Sequence, residues 1–337
     1  MRITTSMIYN QALAGIQNGE TNQANLTQQL ATGLKILEPS DDVMGTVRAM
    51  DYQVDINSNN QYETNITNVT NSLNQTYTAI TSVSGTLSTI IGILNNATSS
   101  TNLATPQVTS GEVAQLRDQL LGFANTRIGN TYLFSGFQTN TQPYAAGSYD
   151  YQGDGGIVKV PTGKGVSTAS NVPGSSVFSY TPAAYTTQIP GGLTVSYTAG
   201  AGTTVNVNIT DAANNPVKSF SFSNIIQMTD LLSTAIANND TTTIEALAYP
   251  FSQIQNQVSS VQADLGASLS GLQNQSTTLT QSTTNMQNSL STLQDADTAT
   301  LGVEIQQANT ALQALYSASA EILPMSLFSF LQSSSGG

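Results

Sequence analysis

Two groups of acidic residues are the closest this chain comes to reaction chemistry. Asp41 and Asp42 have the adjacent carboxylates that general acid–base work can use. Asp150 and Asp154, set among Gly153, Gly155 and Gly156, offer the oxygen donors and tight turn of a calcium loop. Each has a plainer reading. Ser40 is a good helix N-cap, and Asp41 and Asp42 after it fall in a first turn, where carboxylates favour the helix dipole. The 150–156 segment lacks the alternating acids and terminal glutamate of an EF-hand and reads as a β-turn. The chain has no histidine and no cysteine, so Ser–His, Cys–His and His–metal constellations cannot be drawn. The expectation is a protein that is not an enzyme and holds no cofactor or metal.

Composition narrows the partners. Of 337 residues only 8% are charged, and the net charge is −12, which argues against nucleic acid or an anionic membrane surface. The eight basic residues are scattered, and none follows Lys218. The start, Met1-Arg2-Ile3-Thr4-Thr5-Ser6, has no apolar core of a cleavable signal peptide, and no run of eighteen apolar residues suggests a membrane span.

What the chain does have is two seven-residue ladders. The first runs Ile66, Leu73, Ile80, Leu87, Leu94, with a second seam of Tyr62, Val69, Val83 and Ile90. The other runs Phe251, Val258, Leu265, Leu272, Leu279, Met286, Leu293, joined by Leu247, Ile254 and Val261. A strict heptad lays one apolar stripe along a helix and pairs it with another stripe. The two ladders are expected to bury against each other as an intramolecular bundle core, with Ile66, Leu73, Ile80, Leu87, Val258, Leu265 and Leu272 at its centre. The flanking surfaces must be Ser, Thr, Asn and Gln, where coiled coils normally place Glu and Lys.

Weaker patterns lie outside the ladders. Residues 1–33 read as a helix with Ile8, Leu13, Ile16, Leu26 and Leu30, interrupted by Gly15 and Gly19, each costing on the order of 1 kcal/mol against alanine. Residues 298–323 carry Ile305, Leu312 and Ser319 with Ala308, Leu315 and Ile322, until Pro324 stops the helix; Leu327 and Phe328 follow in an apolar tail. Neither segment can bury its stripe alone, so the two are expected to pair and to offer their remaining apolar surface to other subunits. Ile8, Leu13, Ile16, Leu312, Leu315, Ile322, Leu327 and Phe328 are the expected subunit-interface residues. Between the ladders, Thr109-Ser110-Gly111-Glu112 is a capping box opening a helix with Val113, Leu116, Leu120 and Ile128. From about 139 to 223, period-two runs (Leu193, Val195, Tyr197; Val205, Val207, Ile209; Phe220, Phe222) separated by Gly, Pro and Asn clusters predict a small antiparallel β domain. A short helix over 228–237 leads to the second ladder. Gly85, Gly92, Gly266 and Gly271 either let helices approach closely or are simply tolerated.

Several motifs resemble the flagellin superfamily, and within it the family of hook–filament junction proteins. They are Met1-Arg2-Ile3-Thr4-Thr5-Ser6-Met7, Thr32-Gly33-Leu34-Lys35-Ile36, Pro39-Ser40-Asp41-Asp42, Gln61-Tyr62 with Asn65-Ile66, Leu133-Phe134-Ser135-Gly136 with Pro143-Tyr144, and Tyr151-Gln152-Gly153-Asp154. Val172 to Phe178, Asp264-Leu265-Gly266-Ala267, Leu293-Gln294-Asp295-Ala296-Asp297 and Ser326-Leu327-Phe328 complete the set. Leu34 stands where that family often has a basic residue, and Val43 where proline is common.

The resemblance implies a mainly α fold with a β insert. In it a long coiled-coil bundle is formed by the N- and C-terminal segments, with a small antiparallel β domain in the middle. The divisions are 1–40 with 296–337 (terminal coiled-coil core), 41–138 with 240–295 (helical rod), and 139–239 (β-rich insert). It also implies an extracellular structural role, joining the hook, through hook-associated protein 1, to flagellin, as a ring of copies of itself. Export would be of the type III kind, without a cleaved signal peptide and with a cytoplasmic chaperone beforehand. Two other readings are a flagellin filament subunit and a secreted adhesin or carbohydrate-binding protein. The latter would use Tyr144, Tyr149, Tyr151, Tyr180, Tyr185 and Tyr197 as its surface.

Overall fold

The computed structural model describes residues 5–99, 105–180, 182 and 184–334, with the side chains at 5, 6, 8 and 321–334 outside the description. The elements run α1 (Thr5–Thr32), α2 (Val43–Ser99), α3 (Pro106–Ala124), β1 (Arg127–Ile128), β2 (Thr131–Tyr132), β3 (Lys159–Gly163), β4 (Val166–Ala169) and α4 (Gly174–Phe178). Then come β5 (Tyr185–Ile189), β6 (Leu193–Ala199), β7 (Val205–Thr210), β8 (Pro216–Phe222), α5 (Ile225–Ala237), α6 (Thr241–Gln294) and α7 (Thr298–Ser334). The fold is mainly α with a small antiparallel sheet domain, as expected. Two compact units form: Met1–Asn60 with Thr280–Gly337, and Gln61–Leu279.

In the 61–279 unit the ladders are the core. Ile66, Leu73, Ile80, Leu87, Val258, Leu265 and Leu272 are all buried, none more than 5% exposed. α2 contains an 18-residue window with a mean hydropathy of 1.4, the one described helix long and apolar enough to cross a membrane. Its ladder residues Ile80, Val83, Leu87 and Ile90 are fully buried in the core. Polar side chains fasten the seam from its flanks. Gln262 donates to Thr81 Oγ1 (3.0 Å), Gln255 to Ser88 Oγ (3.3 Å) and Ser276 Oγ to Glu63 (2.9 Å). Uncharged hydrogen bonds thus take most of the place of Glu–Lys pairs.

The helices also grip the middle segment by its backbone. Asn65 Nδ2 donates to the Pro161 carbonyl (2.7 Å), Gln275 Nε2 to that of Thr162 (2.9 Å), and Gln257 Nε2 to those of Ser176 and Ser179 (both 2.7 Å). β5–β6–β7–β8 form an antiparallel meander in that order. Its inner face is Val195, Tyr197, Val205, Val207, Ile209 and Phe222, all buried, following the period-two pattern of the sequence. α5 starts on Asn224, whose side-chain oxygen accepts from the Ile226 and Gln227 amides (both 3.0 Å). It packs on α3 through Ser110 and Ser233.

One contact locks the sheet to α6. Pro250 lies inside this helix and has no N–H to donate to the carbonyl four residues back. That carbonyl belongs to Ala246, which is fully buried, and the Tyr197 hydroxyl on β6 donates to it at 2.7 Å. A helix defect and a strand side chain satisfy one another.

Several boundaries differ from expectation. The 109–112 capping box does not open α3, which begins at Pro106 with proline in its first turn, a position where the missing N–H has no partner to lose. Thr109 Oγ1 instead donates to the Thr105 carbonyl within the helix. Ile128 sits in β1 rather than in α3. Helix α7 passes through Pro324 to Ser334, although an interior proline removes one internal bond and crowds the carbonyl four residues back. A Cβ at Gly85, Gly92, Gly266 or Gly271 would meet nothing within 4 Å, so none of the four serves close helix approach.

Candidate subunit-contact surface of the terminal helices

The surface begins at the caps that fix α1, α2 and α7. Gly33 ends α1 in the left-handed region (φ 72°), its amide donating to the Gln29 carbonyl at 2.8 Å, the usual device for terminating a helix. The chain then runs beside residues 294–296. Leu34 bridges Asp295, Lys35 N donates to the Gln294 carbonyl (2.6 Å) and Ala296 N to that of Gly33 (2.9 Å).

The acids that first suggested chemistry are structural here. Asp41 Oδ2 accepts from the Leu37 and Glu38 amides (both 3.0 Å), fixing the linker. Asp42, not Ser40, caps α2: its Oδ1 accepts from Gly45 N at 2.8 Å, the N3 position. The helix starts two residues later than the sequence suggested because Pro39 and Asp41 hold a turn between. At α7 the cap is Asp297, which accepts the Thr300 hydroxyl (2.9 Å) and the Thr300 and Ala299 amides (3.3 and 2.9 Å). These bonds hold its carboxyl below the ordinary aspartate value. Asp154 likewise accepts from the Phe137 and Gly156 amides (2.7 and 2.8 Å), ordering a turn. Among the described residues no three metal-capable side chains cluster.

Between these caps α1 and α7 pack along each other, as their weak stripes predicted. The inward face of α7 is Leu301, Ile305, Ala308, Leu312 and Leu315, with Leu301 and Leu312 5% exposed. The two glycines that interrupt α1 are part of this fit. A Cβ at Gly19 would stand 2.9 Å from Leu312 Cδ2, and one at Gly15 would stand 3.8 Å from Leu315. Polar pairs add register: Gln23 Nε2 donates to Asn309 Oδ1 (2.6 Å), and the Tyr316 hydroxyl donates to Glu20 (2.6 Å).

The residues expected at subunit interfaces are therefore differently placed in the single chain. Leu312 is buried beneath α1, Leu315 and Ile16 are half-buried, and Leu13 is exposed. Ile8, Ile322, Leu327 and Phe328 belong to α1 and α7, but their side chains lie outside the described residues. Sequence reasoning missed the opening of α2. Val43, Met44, Val47, Met50 and Val54 are 51–65% exposed; residues 43, 47, 50 and 54 form a 4–3–4 stripe out of register with the Ile66 ladder, whose upstream positions are Asn59, Tyr52 and Gly45. The spacing was visible in the sequence, but exposure was not. The tyrosines of the middle segment make a poor adhesive surface: Tyr144 and Tyr197 are buried, and Tyr144 packs among Phe178 and Tyr151. Tyr185 is partly exposed but stacks on Tyr249 with ring centres 4.0 Å apart.

Comparisons with known proteins converge on flagellar components. Residues 3–139 match the bacterial flagellin N-terminal helical region, and residues 251–331 match the C-terminal helical region. The chain is similar to flagellar hook-associated protein 3 of Escherichia coli, with 26% identity over 343 residues, spanning 97% of this chain and 99% of that one. The Salmonella typhimurium protein of the same name is 28% identical over 157 residues, 45% of this chain and 49% of that one. Among solved structures, hook-associated protein 3 of Legionella pneumophila superimposes with a TM-score of 0.57 at 18% identity, covering 72% of this chain and 98% of that one. A putative flagellar hook-associated protein from Vibrio parahaemolyticus gives 0.56 at 19%, covering 75% and 99%. FlgL of Xanthomonas campestris gives 0.54 at 16%, covering 70% and 98%.

Proposed function

The chain belongs to the flagellin superfamily, and from that premise we propose that it is a non-enzymatic adaptor joining the hook to the filament. In this reading it sits outside the cell as a ring of copies, with hook-associated protein 1 on one side and flagellin on the other. It reaches that place by type III export, without a cleaved signal peptide and with a cytoplasmic chaperone beforehand. Residues 1–40 with 296–337 form the assembly core, 41–138 with 240–295 support it, and 139–239 is an insert. Leu13, Ile16 and Leu315, exposed or half-buried on the paired terminal helices, would meet neighbouring subunits, together with Ile8, Ile322, Leu327 and Phe328.

The observation that carries this reading is similarity to a hook-associated protein 3 along nearly the whole of both chains. Similarity confined to the two terminal regions would fit a filament subunit equally well. A strain lacking the protein should be non-motile and should release flagellin monomers into the medium. Normal filaments in that strain would overturn the proposal. Immunogold labelling separates the alternative: a filament subunit labels along the whole filament, whereas an adaptor gives a single band next to the hook.

A further inference from the structure

The opening of α2 presents an apolar ridge that the described residues leave uncovered. Val43, Met44, Val47, Met50 and Val54 are each more than half exposed, on a helix that buries Ala49 and Ile56 on another face. Helix α7 offers a matching feature on its outward side. A shallow groove there is lined by Ala299, Gly302, Val303, Gln306, Thr310 and Ala314 among others, opposite the stripe that α1 covers. The ridge residues 43, 47, 50 and 54 and the groove residues 299, 303, 306 and 310 share one 4–3–4 spacing. The ridge places Val43, Val47, Met50 and Val54 at the period where the α7 face places Ala299, Val303, Gln306 and Thr310, and a shared period lets the side chains of two helices interdigitate. One pair of opposite charges flanks the two faces, although Asp51 is exposed one turn from the arginine. Arg48, exposed beside the ridge, and Glu304, exposed beside the groove, take part in none of the ion pairs among the described residues.

We propose that the α2 ridge of one copy seats in the outer α7 groove of a second copy, with Arg48 facing Glu304. The two surfaces differ, so the contact is heterologous and propagates around a ring or helix instead of closing a dimer. Its size fits that role. Five such side chains offer roughly 500 Å², below the about 800 Å² per partner of a stable binary complex. The contact is therefore weak between free molecules and holds when neighbours repeat it. The inference rests on the adaptor reading, from which it takes the presence of neighbouring copies.

The absence of cysteine from the chain makes cross-linking a clean test. Full-length Met50→Cys is co-expressed with Gln306→Cys or with Val303→Cys in cells lacking the native gene, and isolated flagella are oxidised. A mixed dimer is expected with one of the two partners, since disulfides need Cα atoms about 4.4–6.8 Å apart. The 4–3–4 spacing is palindromic, so the partner that reacts shows whether the helices run parallel or antiparallel. Arg48→Glu should lower the yield several-fold, and adding Glu304→Arg should restore it. Cross-linking of Met50→Cys only to itself overturns the proposal. So does the absence of mixed dimers in swimming cells with the protein at the hook boundary, which leaves the adaptor reading standing. A protein missing from that boundary overturns the adaptor reading and this contact with it.

Discussion

The hydroxyl of Tyr197 answers a backbone group that Pro250 leaves without its helical donor. A buried carbonyl that loses its partner costs about 1–3 kcal/mol, so Tyr197→Phe should lower stability by that amount in chemical denaturation. Pro250→Ala returns an N–H to the helix, and in that background the same change should cost markedly less. Equal losses in both backgrounds would show that the pair is not coupled. Glycines give a second contrast. Gly85→Ala meets open space and should stabilise by about 0.5–1 kcal/mol, read as a rise in melting temperature. Gly19→Leu would drive a side chain into Leu312. It should strip amide-exchange protection from residues 5–32 and 298–320 while the 61–279 unit keeps its melting temperature.

Among the elements, caps and seams carry the specificity. Asp42→Ala should cost about 0.5–2 kcal/mol through loss of the α2 cap, whereas Ser40→Ala should change thermal stability little; the reverse ranking would return the cap to Ser40. The ladders were legible from the sequence because a heptad is a long-range repeat that neighbouring choices cannot mimic. The strands were legible because Val195/Tyr197 and Val205/Val207/Ile209 alternate strictly. Helix ends were not. Ser40, Asp41 and Asp42 all have capping side chains, and which one caps depends on the Pro39 turn and on the strand-like pairing of residues 33–35 with 294–296. Gly15 and Gly19 looked like weak points because their value lies in a partner about 290 residues away in the chain. The exposed ridge at 43–54 went unread because its spacing is out of register with the ladder downstream, and periodicity reports a face without saying what covers it.

Across the whole molecule, burial is uneven. The large apolar cluster lies wholly between Ile66 and Leu272. In the other unit, the buried apolar residues among those described are Ala49, Ile56, Leu301 and Leu312. Calorimetry should therefore resolve two transitions, with exchange protection in 1–60 and 280–337 lost in the first. A single cooperative transition would contradict this. Alkali should act on the second. Burial raises the Tyr144 and Tyr197 hydroxyls above the ordinary tyrosine range and pushes Tyr180 up to about 12. The fold favours their neutral form, so their contribution is complete below the unfolded value near 10 and is lost as pH rises through the folded values. Ultraviolet titration should show these tyrosinates appearing late and together with unfolding. Over longer times, the bond between Tyr197 and Ala246 restricts the order in which homologous sequences can drift. A lineage can give up Pro250 first and free the tyrosine to vary. One that loses the tyrosine hydroxyl first is left with an orphaned carbonyl until the proline follows.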